Sequence, residues 1–147
     1  LPTVLDALGS LPVTAVVATA GASLPGNVPA NTFVADYLPG ALACEMADLV
    51  VCNGGSPTAH QALAQGVPVL GLAGNLDQFL SMGAVEQAGA GRRLRAGSAG
   101  VRSIARAVEA MLQDEDGRGA AEQVAKWFSE TACEQIFYRT IKEMDVS

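Results

Sequence analysis

Positive charge is scarce in this chain. Nine lysines and arginines face fifteen aspartates and glutamates, a formal net charge of −6 over 147 residues. Such a balance offers no basic stripe to neutralise a run of phosphates, so nucleic acid is excluded as a partner. Cysteine is also sparse. Cys44, Cys52 and Cys133 are odd in number, widely separated and without paired metal-ligand spacing, which argues against a disulfide framework and reads them as small buried hydrophobes in a reducing compartment. No charged start followed by an apolar signal core is present, and no run of about 18 apolar residues exists to span a bilayer. The expectation is a cytoplasmic protein without a membrane span. No carboxylate pair has magnesium-like spacing, so neither metal nor cofactor is expected. The G-x-G-x-x-G of a dinucleotide-binding first βα turn is missing, as is an acidic residue at the end of the following strand, which argues against an oxidoreductase domain. The only histidine, His60, has no neighbouring carboxylate in the sequence to orient it as a base, and reads as a surface or partly buried helix residue.

What the chain does have is apolar residues, 50% of the total, and a length that fits one domain with a sizeable core. Short β-branched runs alternate with helix-like segments as far as residue 97, the pattern of a parallel sheet with crossover helices. A helix is expected over 2–8 and a strand buried on both faces over 13–19. A Gly/Pro-rich loop follows over 21–31, then a strand over 32–37, a helix over 41–46 and a strand over 49–52. A helix over 58–65 stops at Gly66 and Pro68. It is followed by a strand over 67–72, a polar loop over 74–78, a helix over 79–88 closed by Gly89, and a short strand over 91–94. Val101, Ile104, Ala105, Val108, Met111 and Leu112 recur at helical spacing. After a charged break over 113–119, residues Val124, Trp127, Phe128, Ile136, Phe137, Ile141 and Met144 suit one or two closing helices with an aromatic inner side packed in the core. The fold class is therefore α/β, a Rossmann-like parallel sheet flanked by helices, with residues 1–97 as the alternating core and 98–147 as closing helices.

The sharpest local feature is Asn53-Gly54-Gly55-Ser56-Pro57-Thr58 between the apolar run Leu49-Val50-Val51-Cys52 and an Ala-rich helix. A strand, a glycine turn and a helix start in that order aim backbone N–H groups and the positive end of a helix dipole at one point, which suits a phosphate. Ser56 is placed to cap the helix through its hydroxyl, and Pro57 suits its first position. Ligands of open α/β sheets lie outside the carboxyl ends of the strands, where the loops after Thr19, Tyr37, Cys52 and Leu72 should gather. Asn53 and Thr58 add side-chain hydrogen-bonding groups there, and Asn75, Asp77 and Gln78 end the next strand. Amide and acid groups beside a phosphate-ready helix start match a ligand with a diphosphate and a polyhydroxyl part.

The stretch YLPGALACEMADLVVCNGGSPTAHQALAQGVPVLGLAGNLDQ, residues 37–78, resembles the donor-binding signature of GT-B UDP-glycosyltransferases of the natural-product and macrolide type. Their pattern runs W-x-P-Q, then H-G-G-x-G-T/S-x-x-E, then G-V-P, then an acidic residue with Gln. Ala-Gly-Ala-Gly at 88–91 continues it. The resemblance implies the C-terminal, nucleotide-sugar-binding domain of a two-domain inverting enzyme, with a UDP- or TDP-sugar as donor. By position, Tyr37 replaces the Trp that stacks on the base, Leu38 offers backbone contacts and Gln61 takes the ribose position. Asn53, Gly54, Gly55, Ser56 and Thr58 then hold the diphosphate, while Asn75, Asp77 and Gln78 hold the sugar.

The resemblance also implies that the catalytic base belongs to an N-terminal acceptor-binding domain. No catalytic residue is then expected in this chain, and it should bind donor without turning it over. One further strand is implied before the first helix, in mid-sheet. The sequence departs from the pattern at Asn53 (His in the family), Gln61 (Glu), Gly40 (Gln) and Pro57, which removes one N–H from the cradle. These departures leave room for a noncatalytic nucleotide-sugar-binding or interaction subunit as the alternative function.

Overall fold

The structure, a computed structural model, describes residues 1–24, 26–130 and 133–144. Its best-buried part is a three-stranded parallel sheet of β3 (Val50–Cys52), β4 (Val69–Ala73) and β5 (Gly91–Arg95), in the order β3-β4-β5. Consecutive side chains of β4 point to opposite faces, and both faces are covered. Val69 joins the cluster formed by Ala59, Ala62 and Leu63 of α3 (Ser56–Ala64), Met82 and Val85 of α4 (Leu76–Gln87), and Ala121 and Val124 of α6 (Glu115–Glu130). Leu70 joins Ala7 of α1 (Pro2–Gly9) and Ile104, Val108 and Met111 of α5 (Val101–Leu112) on the other side. The result is helices on both faces of a parallel sheet, as the near-continuous apolar run of β4 requires.

The strands β1 (Ala15–Ala18) and β2 (Thr32–Ala35) pair parallel as a separate two-stranded sheet. Among the described residues, neither β1 nor β3 has a strand partner on its second edge. The apolar run over 13–19 predicts burial on both faces, and here the structure differs. Val16 is 60% exposed and its in-register partner Phe33 is 66% exposed, because no described element covers that side of the small sheet. Its other end is tied down by Asn31, whose Nδ2 donates to the carbonyls of Leu8, Leu11 and Val13 at 3.0, 3.2 and 2.9 Å. That one amide fixes the passage from α1 into β1 and the end of the long loop.

Other elements follow the sequence within a residue or two. Gly66, at φ +74, ends α3 in the left-handed region that glycine alone adopts without strain. Two boundaries differ. The loop expected over 74–78 is only two residues long, because Asn75 caps α4 and Leu76 already begins it. The charged break expected over 113–119 is also short: α6 starts at Glu115, and Asp114 Oδ1 accepts from the N–H of Gly117 in the manner of a cap.

The aromatic inner side expected of the closing helices is not buried. Trp127 and Phe128 of α6, and Phe137 and Ile141 of α7 (Cys133–Met144), are all exposed, and only Val124 of the named set lies in the core. The side chains of Cys133, Ile136 and Met144 lie outside the described residues. The spacing for burial is right, but these side chains keep much of their surface in solvent, Phe128 with only the His60 ring of α3 beside its own. The outer strand β5 is covered differently: Arg92 pairs with Asp114, Arg93 with Glu86, and Arg93 and Arg95 both lie over the Phe79 ring. Charged side chains on an edge strand discourage pairing with a second chain.

Leu70, fully buried at the centre of the sheet, is the side chain on which the α1–α5 face closes. Leu70→Ala should lower unfolding stability by about 2–5 kcal/mol, measured as a reduced denaturant midpoint with unchanged slope.

Candidate functional site

In-register pairing of Cys52 with Gly71 brings the ends of β3 and β4 to one edge. The glycine turn after β3 and the start of α4 after β4 therefore meet. A Cβ placed on Gly54 would stand 2.6 Å from Met82 Cγ and 3.6 Å from the carbonyl oxygen of Gln78. Gly54 is buried and has φ +78, so both space and backbone conformation demand glycine.

The N–H groups of the turn are divided between the protein and solvent. Gly54 N–H points to Cys52 Sγ at 3.3 Å, and Gly55 N–H donates to Asn53 Oδ1 at 2.9 Å. Gly55, not Ser56, is the N-cap of α3, and no side chain caps it. Ser56 is the first helical residue, so its hydroxyl is not spent on the helix. Pro57 has no N–H, and Ala59 N–H bonds to Gly55 O. Among the described residues no partner engages the N–H of Ser56 or of Thr58, and both residues are exposed. The cradle thus reduces to two amides and two hydroxyls at a helix start that has no acidic residue in its first turn. The positive end of that dipole is uncompensated.

The neighbouring helix start is built the opposite way. Asn75 Oδ1 accepts from Gln78 N–H at 3.0 Å, Gln78 Oε1 accepts from Gly74 N–H at 2.7 Å, and Asp77 stands in the first turn. This end is capped and carries its own negative charge, which disfavours a second anion. Its outward groups are the exposed Asp77 carboxylate and the amide nitrogens of Asn75 and Gln78, an acceptor flanked by donors, which is what sugar hydroxyls need.

Gln61, expected on the base side, meets the segment that follows Tyr37 and Leu38. Gln61 packs its carboxamide against Gly40 at the start of α2 (Gly40–Glu45), where a Cβ would collide with it. Tyr37 and Leu38 lie just before, with Tyr37 82% exposed and its ring therefore open to a stacking partner. The loop after β1 meets the loop after β2, since Thr19 Oγ1 donates to Asp36 Oδ1 at 3.0 Å and Ala20 N–H to Asp36 O at 2.8 Å. His60 lies 5.8 Å from the Phe128 ring, and among the described residues no ion pair or hydrogen bond to a carboxylate orients it. Among the described residues no three His, Cys, Asp or Glu side chains group closely enough to hold a metal ion.

Two residues beneath the turn escape the sequence reading: Cys52, which receives an amide, and Met82, which fills the space beneath Gly54. A glycine inside β4 was the available signal, because Gly71 marks a close approach, and Met82 is what approaches it.

A model of the erythromycin biosynthesis protein CIII-like C-terminal domain matches residues 2–142. The chain belongs to that family. Within it, the chain is 52% identical over 128 residues to a PGL/p-HBAD biosynthesis glycosyltransferase of Mycobacterium tuberculosis, covering 87% of this chain and 30% of that protein. It is 53% identical over 128 residues to a PGL/p-HBAD biosynthesis rhamnosyltransferase of Mycobacterium bovis, covering 87% and 28%. Among solved structures, the spinosyn rhamnosyltransferase SpnG superposes with a TM-score of 0.78 at 28% identity, over 88% of this chain and 36% of that one. The chain therefore spans about a third or less of its relatives' length. This CIII-like domain has the α/β architecture of the C-terminal half of GT-B glycosyltransferases. Among its described residues, no helix is long and apolar enough to cross a membrane.

Burial raises the pKa of the Cys44 and Cys52 thiols; at Cys52 the Gly54 N–H lowers it in part and the nearby Cys44 adds a further rise. The folded domain then keeps protons that the unfolded chain releases, so this contribution is complete below the ordinary thiol value of 9.0 and is lost as pH rises through the folded values. Unfolding stability should decline above pH 9, and less steeply in Cys52→Ala, as followed by urea titration across the alkaline range.

Proposed function

We propose that this domain is the donor-binding half of a glycosyltransferase that moves a sugar from a UDP- or TDP-sugar to a small-molecule acceptor. One observation carries the reading. Two helix starts lie side by side, one uncapped and without acid, the other capped and acidic. The first suits the diphosphate and the second the hydroxyl-rich sugar. Asn53, Gly54 and Gly55 shape the turn, Ser56 and Thr58 donate to phosphate oxygens, Tyr37 stacks on the base, Leu38 offers backbone contacts and Gln61 reaches the ribose. Asn75, Asp77 and Gln78 bind the sugar.

During transfer, negative charge builds on the departing nucleoside diphosphate. Preorganised amides and hydroxyls at a helix start stabilise that charge without a metal. The acceptor still needs a base to take its proton, and no residue of this site is oriented to do so. An N-terminal acceptor-binding domain supplies it in this reading, so the chain alone binds donor without transferring sugar. The relatives' far greater length supports that division. Because two of the relatives are named rhamnosyltransferases, nucleotide-linked rhamnose belongs among the first donors to try.

Calorimetric titration with UDP, TDP and their sugar conjugates tests the assignment. Thr58→Ala should weaken the diphosphates and the conjugates alike, by about ten- to a hundredfold, the worth of a hydrogen bond to a charged group. Asp77→Ala should weaken only the conjugates, by about tenfold. Unchanged affinity in both variants would remove the site.

A further inference from the structure

We propose that Met82 is a positioning residue for donor binding, although it lies beneath the site and cannot touch the ligand. Met82 is fully buried and is wedged between two glycines from different elements. A Cβ on Gly54 would come within 2.6 Å of Met82 Cγ, and one on Gly71 within 2.6 Å of Met82 Sδ and 3.0 Å of its Cε. Real Cβ atoms essentially never come closer than 3.0 Å to another atom, so a side chain at either position would push Met82 aside, and Gly54 is held to glycine by its φ of +78 as well. The thioether fills the space under the turn that a side chain at 54 would otherwise occupy. It also belongs to α4, the helix whose first turn carries Asp77 and Gln78. The height of the glycine turn over the sheet, and hence the placing of the Ser56 and Thr58 donors beside the start of α4, is set by this one contact.

A methionine suits the task because its unbranched, polarisable chain passes between two backbones where a γ-branched side chain would not fit. The inference rests on the donor-binding reading and adds a coupling between its two halves: disturbing Met82 should loosen the diphosphate grip while leaving the base side, at Tyr37, Leu38 and Gln61, as it was.

The test compares nucleoside diphosphate with plain nucleoside, uridine or thymidine, on Met82→Ala and on Gly71→Ala, with folding checked by thermal unfolding. Gly71→Ala keeps methionine but forces it aside, so it answers the question if Met82→Ala does not fold. The expected result is diphosphate affinity about tenfold weaker in each folded variant, with nucleoside affinity unchanged. A role confined to stability would lower the melting temperature and leave both affinities in place, which would overturn the proposal. So would equal losses for nucleoside and diphosphate. If Thr58→Ala weakens the diphosphate and the folded Met82 and Gly71 variants do not, the positioning role fails and the donor-binding reading stands. If the unaltered domain binds no nucleoside diphosphate, both fall.

Discussion

The parallel pairing of β3 with β4 governs where chemistry can occur in this domain. Two strands running the same way must deliver their loops and the following helices at the same edge. With Cys52 opposite Gly71, the turn at 53–55 and the start of α4 are forced together, and their spacing is set by what lies between them. An antiparallel neighbour would have placed one helix start at the opposite edge. The contrast between an uncapped α3 and a capped α4 then turns adjacency into selectivity. Identical helix starts would make one broad anion site; in the proposed reading the negative charge of Asp77 confines the anion to one side and leaves acceptor chemistry on the other.

Much of this was legible in the sequence because it depends on short-range rules. Glycine turns, the Gly66 stop and the apolar period of α5 are local, and the elements carrying them appear where those rules put them. The grouping of 53–58 with 75–78 was also legible, since adjacent βα units of one parallel sheet share an edge. The failures share a different cause. Val16, Trp127 and Phe128 have the spacing of core residues, but periodicity specifies which residues share a face and not what stands opposite. Capping failed for a related reason. Both Ser56 and Asn75 are good N-cap residues, and only the three-dimensional turn decides that Asn75 caps while Ser56 sits one position inside its helix. The short loop at 74–75 follows from that same cap.

The exposed apolar surfaces gain a meaning when set beside the lengths of the relatives. Val16 and Phe33 on the two-stranded sheet, and Trp127 of α6, are unlike the charged fringe of β5, where Arg92, Arg93 and Arg95 are each held by a carboxylate or a ring. An edge meant to face water is blunted by charge. The other surfaces are not blunted, and under the proposed reading they are what the remainder of a two-domain enzyme would cover.

Under the proposed reading, Asn in place of His at the head of the glycine turn means that the site holds its anion with little positive charge. Asn53 spends its oxygen on Gly55 N–H, which fixes the turn, and keeps its amide nitrogen as a neutral donor. No arginine or lysine stands in the 53–61 segment, and the chain as a whole is negative. In that reading attraction comes from oriented dipoles: the amides of Ser56 and Thr58, unpaired among the described residues, and the axis of α3. Dipoles act only at short range and only when held still, whereas a mobile lysine can follow its ligand. A site of this kind depends on the rigidity of its support, and that is why a buried methionine between two glycines matters to it as much as the hydroxyls above.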